Sequence, residues 1–364
     1  MRLLSFIFIF LFLCIQASAQ RNRYPQLKDT AEKKVEFLWF PLILYAPETR
    51  LAFGLGETLA FKTSKKDSLT RPSKITGTQL YTLNKQILAN LLSDIYTNGN
   101  KYHFVSYVSF QRFPNRFYGI GNNTDRTYEK YDAVFVDFKN TFERRIAKNF
   151  FAGITQNYRY CDIISYLSYG EFARKNIPGE NGGHISGFGL NASFDNRDNI
   201  FYPAKGNYMK LSWMLYDKAF GSNYSFRNYT LDFRKYISVY KGNILALQLY
   251  AEHGNGNIPF HMLSLMGGPQ LMRGFFQGRF RDKNLVAFQA EARIPIWGIF
   301  TMTAFGSIGE VSPTVNQFAL DKLKLTGGAG IRMRLLKTQK VNMRIDAGFG
   351  KDSYGIYVDF SEAF

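Results

Sequence analysis

Cysteine is almost absent: the 364 residues hold two, Cys14 and Cys161. Cys14 falls in an apolar leader, so the mature chain keeps one thiol, and a small secreted fold stapled by disulfides is excluded. Histidine is scarce as well. His103, His184, His253 and His261 lie far apart, without the Ser/His or Asp/His spacing of nucleophilic catalysis. No metal-ligand cluster, Walker loop or dinucleotide fingerprint occurs, so no enzyme, metal or cofactor is expected. Beyond residue 19 no run of about 18 uncharged apolar residues exists, which excludes helical membrane spans. Acidic residues are outnumbered, with 28 Asp and Glu against 46 Lys and Arg, a formal charge of +18. Loss of Arg2 with the leader makes it +17 (18 − 1).

What is present begins with that leader. Met1 and Arg2 precede an apolar run from Leu3 to Ile15, and Ala17-Ser18-Ala19 supplies a small-x-small site. This is the pattern of a secretory signal peptide spanning 1–19, cut after Ala19. A membrane anchor would need about 20 apolar residues. Cys14 is a poor lipidation site because Leu13 stands where a small residue is usual.

An exported chain without disulfides needs a large packed core or a membrane to hold it. Composition points to the membrane: 35 Phe, 23 Tyr and 31 Gly, 17% aromatic, yet a mean hydropathy of -0.21. Alternating lipid-facing and lumen-facing residues give that balance. In "VNMRIDAG", Val341, Met343, Ile345 and Ala347 share one face, and Asn342, Arg344 and Asp346 the other. "LQLYAEH" and "QAEARIPI" alternate in the same way. The many Gly-x-Gly pairs fall in strands or turns, where they ease curvature. Alternation and turn clusters predict strands near 36–46, 50–63, 73–84, 86–98, 101–113, 129–145, 148–163 and 184–195. Eight more follow near 206–218, 225–239, 242–254, 283–296, 298–310, 323–336, 339–350 and 353–364. Strands this long, with aromatics such as Phe150-Phe151 and Phe201-Tyr202 at their ends, exceed the five or six residues usual in soluble sheets.

The fold class expected is therefore all-β: a transmembrane antiparallel β-barrel of about 16 strands over 36–364, after a short periplasmic segment, 20–35. Closure satisfies the sheet edges that lipid would leave unpaired. With the first strand rising from the periplasm, the connections 114–128, 164–183 and 255–282 are extracellular, and 196–205 is a longer periplasmic turn. The location expected is the outer membrane of a Gram-negative bacterium. The positive charge suits outer-membrane lipids and lipopolysaccharide phosphates, not nucleic acid. Arg332 and Arg334 point to the lumen by parity, so the alternative function is an anion-favouring pore, or a structural outer-membrane barrel without transport of polypeptides.

Two motifs stand apart. In "YGIYVDFSEAF", Ile356, Val358, Phe360 and Phe364 share the lipid-facing parity, and an aromatic ending on an alternating strand resembles the C-terminal assembly signal of outer-membrane barrels. In "GGPQLMRGFF", Arg273, Gly274 and Phe275 sit in a glycine-rich loop after the eleventh strand. "LMRGF" resembles the Arg-Gly-Phe/Tyr motif of the sixth extracellular loop in the BamA/TamA family, the bacterial surface antigen family. "SFDNRDNIFYPAKGNYMKLS", "FQAEARIPI" and the closing "GGAGIRMRLL", "NMRIDAGFG" and "GIYVDFSEAF" extend the likeness over about 185–364.

The resemblance implies an extracellular loop folded into the lumen, with Arg273 paired to acidic residues on the inner wall. Glu291 matches the first partner. The second usually stands in Phe-x-Asp-x-Gly, but here the pattern reads Phe305-x-Ser307-x-Gly309, so Ser307 replaces the carboxylate. The family's POTRA domains have no counterpart in 20–35. A barrel-only, POTRA-less member is therefore expected, an accessory in outer-membrane protein or lipid assembly working with a separate periplasmic or outer-membrane assembly partner.

Overall fold

The computed structural model describes residues 35–364 except 48, 62, 64–69, 72, 125–126, 168–169, 175, 337–340 and 360–361. The leader and most of 20–35 lie outside the described residues. Sixteen long strands close into one antiparallel barrel. In chain order they are β1 (Val35–Ala46), β2 (Arg50–Phe61), β3 (Ser73–Thr82), β4 (Ile87–Tyr96), β5 (Tyr102–Phe117), β6 (Glu129–Ala147), β7 (Phe150–Tyr166) and β8 (Gly183–Asp195). Then follow β9 (Gly206–Tyr216), β10 (Phe226–Ser238) and β11 (Ile244–Gly256). Two three-residue strands, β12 (Ser264–Met266) and β13 (Phe280–Asp282), pair with each other within the next connection, and Arg281 of β13 also bridges to Gly121. The wall resumes with β14 (Asn284–Trp297), β15 (Phe300–Ser312), β16 (Lys324–Leu336), β17 (Val341–Gly350) and β18 (Ser353–Asp359).

The period-2 pattern decides which way each side chain points. Along β6, Tyr131, Ala133, Phe135, Asp137, Thr141 and Glu143 are buried, while Phe138 and Phe142 on the other parity are exposed. Along β15, Thr301, Thr303, Phe305 and Ser307 are buried and Met302 and Ile308 exposed. The face that carries exposed apolar residues is the outside of a closed barrel, where hydrocarbon replaces water as their solvent. The connections 118–128, 167–182, 217–225, 257–283 and 313–323 meet at one rim, here called upper, and the ten-residue 196–205 lies at the opposite one.

Two strand ends depart from expectation by four or more residues. β5 runs to Phe117 rather than 113, through Pro114. Pairing of β5 with β4 ends at Ile87↔Arg112, and beyond it only β6 is registered against β5. A proline is tolerated there because one side of the strand has no ladder to break. β18 ends at Asp359, not at 364, and Phe364 does not face lipid. It is buried with Tyr236, Ala246 and Ala363. Polar bonds draw this tail inward: Glu362 accepts from Arg332 Nε at 2.8 Å and Asn342 Nδ2 at 2.9 Å, and the Phe364 carbonyl oxygen accepts from Arg293 at 3.0 Å. Phe360 lies outside the described residues.

The interior is packed at two levels. Near the upper rim, Phe117, Tyr131 and Phe135 of the wall meet Phe172 from a one-turn helix (Glu171–Arg174), Ile177, and Phe260 from the 257–283 connection. The Phe172 and Phe260 rings meet edge to face at 4.9 Å, and Tyr131 and Phe260 at 5.5 Å. Below that aromatic layer, on the β14–β18 side, lies a charged one.

Candidate functional site

The 257–283 connection is too long for a simple reversal, and its glycines and polar pairs fix its course. Gly267 and Gly268 take φ values of 110° and 99°, a region that favours glycine. After them, Met272 adopts φ 56°, unusual for a side chain of its size, and is held by its backbone N–H, which donates to Gln289 Oε1 at 3.0 Å. Gly274, at φ 118°, passes so close to β17 that an added Cβ would lie 2.7 Å from the Phe349 carbonyl carbon. Gly348 mirrors it, since a Cβ there would meet the Arg273 backbone at 2.7 Å. Two bare backbones in contact allow the loop to lie flat on the strand.

That approach delivers Arg273 to the buried polar face of the wall, where it is 0% exposed. Its Nη2 lies 2.7 Å from Glu291 Oε2 and its Nη1 2.6 Å from Asp346 Oδ2. The guanidinium carbon is 3.5 Å from the centroid of the Phe305 ring. Arg332 bridges the same two carboxylates, at 3.2 Å from Glu291 and 2.5 Å from Asp346, and reaches Glu362 at 2.8 Å. Arg293 donates to Glu291 at 2.8 Å, and Arg344 to Asp346 and Asp359 at 3.0 Å each. Arg273, Arg293, Arg332 and Arg344 thus face Glu291, Asp346, Asp359 and Glu362, four charges against four. Removing single charges from water costs several kcal/mol each, so only such mutual pairing makes the cluster tolerable.

Neutral bonds complete the clasp. The Gly274 N–H donates to Tyr357 Oη at 2.9 Å, and Ser353 Oγ donates to the Gly274 carbonyl at 2.7 Å. Phe275 packs edge to face on Phe280 at 5.1 Å, among Met266, Met272, Leu285 and Val311.

The structure brings together Arg273, Gly274, Phe275 and Glu291. Ser307 is a correction: its hydroxyl donates to Gln289 Oε1 at 3.0 Å and makes no bond to Arg273. The second carboxylate is Asp346, on β17 instead of β15. Asp346 carries the polar parity in "NMRIDAGFG", and the glycine two residues on marks the close approach; those two features are its sequence signal. Ile356 is exposed on the outer face, and Val358 pairs with Tyr45 across the closing seam.

The histidines have varied surroundings. His103 sits between Asp94, 2.9 Å from Nε2, and Glu143, 2.7 Å from Nδ1, stacked on Tyr96. His184 meets the Tyr158 hydroxyl at 2.8 Å, and His253 meets Asn284 at 2.5 Å. His261, in the long connection, is buried with neither ring nitrogen partnered. Burial first, then the Arg159 and Arg281 charges, pull its pKa down to about 3.

Comparison with known proteins agrees with this fold. No curated protein matches the chain. Among solved structures, BamA from Haemophilus ducreyi lacking POTRA domains 1–3 superposes with a TM-score of 0.60 at 12% identity, covering 92% of this chain and 73% of that one. CdiB from Acinetobacter baumannii gives 0.57 at 10% identity, covering 92% of this chain and 61% of that one. CdiB from Escherichia coli gives 0.58 at 10%, covering 90% and 63%. The chain thus spans less than two thirds of either CdiB. The Omp85 superfamily domain model matches residues 52–358, and the chain belongs to that superfamily.

Proposed function

We propose that this barrel resides in the outer membrane, upper rim outward, and acts as an accessory in outer-membrane protein or lipid assembly. On this reading the 257–283 connection is an extracellular loop folded into the lumen, which it plugs. The observation that carries the proposal is the closing seam. All twelve residues of β1 pair with β2, yet the one register pair between β1 and β18 among the described residues is Tyr45↔Val358. Backbone groups without a ladder are costly in lipid, so a barrel closed this sparingly offers a strand edge on which a nascent strand or a lipid can act.

A disulfide across the seam tests this. Tyr45→Cys with Val358→Cys, expressed as the sole copy in the native host, should lower the levels of outer-membrane proteins or lipopolysaccharide, and a reductant should restore them. Unchanged levels with the bond formed would refute the assembly role. Non-enzymatic action is part of the proposal: the contacts of the four histidines are with carboxylates, a phenol, an amide and aromatic rings, which suit structural roles. The anion-favouring pore is the weaker reading, because an aromatic and a charged layer both pack within the interior.

A further inference from the structure

A second group of cations lies in the same connection, and it is unbalanced. Arg279 is 8% exposed, and its Nε is buried without an acceptor. Its guanidinium lies near two aromatic rings, with Cζ 5.2 Å from the Phe280 centroid and 5.8 Å from that of Phe275. Lys324 Nζ stands over the same Phe280 ring at 5.1 Å. Lys324 is within electrostatic reach of Arg279 and of Lys351, which is exposed in the turn between β17 and β18. The carboxylate that acts on Lys324 is Glu310, and Glu310 Oε2 already accepts from the Ala319 N–H at 3.0 Å. Two positive groups therefore share one ring, and Lys351 follows on the neighbouring turn, one residue past the Thr326↔Gly350 pair, whereas the Arg273 cluster is matched charge for charge. Aromatic faces replace only part of what an anionic acceptor gives a buried guanidinium.

We propose that Arg279, Lys324 and Lys351 form a binding site for a phosphate group at the upper mouth of the barrel. The planar fork of Arg279 suits two phosphate oxygens at once, and the lysines add point charges that a singly charged carboxylate would not balance. A lipid headgroup and free phosphate share this chemistry. The extracellular placement rests on the orientation proposed above; the binding does not depend on an assembly role.

The test is calorimetric titration of the full chain in neutral-detergent micelles. One arm adds inorganic phosphate, and the other adds lipopolysaccharide in its phosphorylated and dephosphorylated forms. Saturable binding of inorganic phosphate, weakened about tenfold or more by Lys324→Gln/Lys351→Gln, assigns the site to free phosphate. Binding of phosphorylated lipopolysaccharide alone, weakened to the same degree, assigns it to the headgroup. Arg279→Lys, which keeps the charge and removes the fork, should weaken either ligand too, and retained heat-modifiable migration on gels shows that the variants fold. Absence of saturable binding in both arms, or binding by all variants equal to that of the parent, overturns the proposal and leaves Arg279 held by its aromatic neighbours alone.

Discussion

Glu291 answers three guanidiniums at once, and so does Asp346. Removing either carboxylate strands buried positive charge, at a cost of about 3–5 kcal/mol. Ser307 gives one neutral hydrogen bond, worth about 0.5–1.5 kcal/mol. Glu291→Ala and Asp346→Ala should therefore each cut the folded fraction on heat-modifiability gels sharply, and Ser307→Ala barely; equal, small effects from all three would remove the cluster from any structural role. His261 sets a pH dependence. Its folded pKa of about 3 lies below the usual histidine value, so below about pH 6.5 the unfolded chain takes up a proton that the folded chain refuses. Stability at this position is whole above pH 6.5 and drains as pH falls toward 3, by at most about 1.4 kcal/mol per unit. Denaturant midpoints measured from pH 7 to 4 should fall less steeply in His261→Phe than in the parent, and parallel slopes would contradict this. Glu291 was legible in the sequence because parity and motif coincide on it. Asp346 was not assigned because the strand it occupies comes near Arg273 only when the sheet curls.

Among the elements, the wall strands were the most legible part of the chain: alternation marked all sixteen, because each has a lipid side and a lumen side. What alternation does not carry is where pairing stops. Pro114 and the tail after Asp359 both depend on whether a neighbour is present, which is a property of the closed sheet. The 257–283 connection was legible through its motif, but the β12–β13 ribbon within it was not, since three-residue strands leave no period to read. Its docking depends on Gly274. Gly274→Val would place a branched side chain at φ 118° and against the β17 backbone, so the loop must lift away. Protease cleavage within 257–283 is the measurement: the variant should be cut in the native membrane under conditions that spare the parent, and equal resistance would show that the loop docks without this contact.

On the scale of the whole molecule, the two packed layers predict small, unstable currents in planar bilayers; large, steady, anion-selective conductance would favour the pore. The two filled layers were legible to different degrees. The charged layer was announced by arginines on lumen-facing parity. The aromatic one draws Phe172 and Ile177 from a connection with no period, and such packing shows only once the chain has closed. Closure has one more consequence. β18 is gripped from inside, through Tyr357 and Ser353 bonded to Gly274 and through Asp359 bonded to Arg344, while β1 at the same seam leans on β2. Any parting of the wall is then one-sided: β18 is the fixed post and β1 the leaf that swings. Amide exchange at Phe37–Ile43 should accordingly outpace exchange at Gly355–Val358, because docking of the Arg273 loop holds one edge of the seam and not the other.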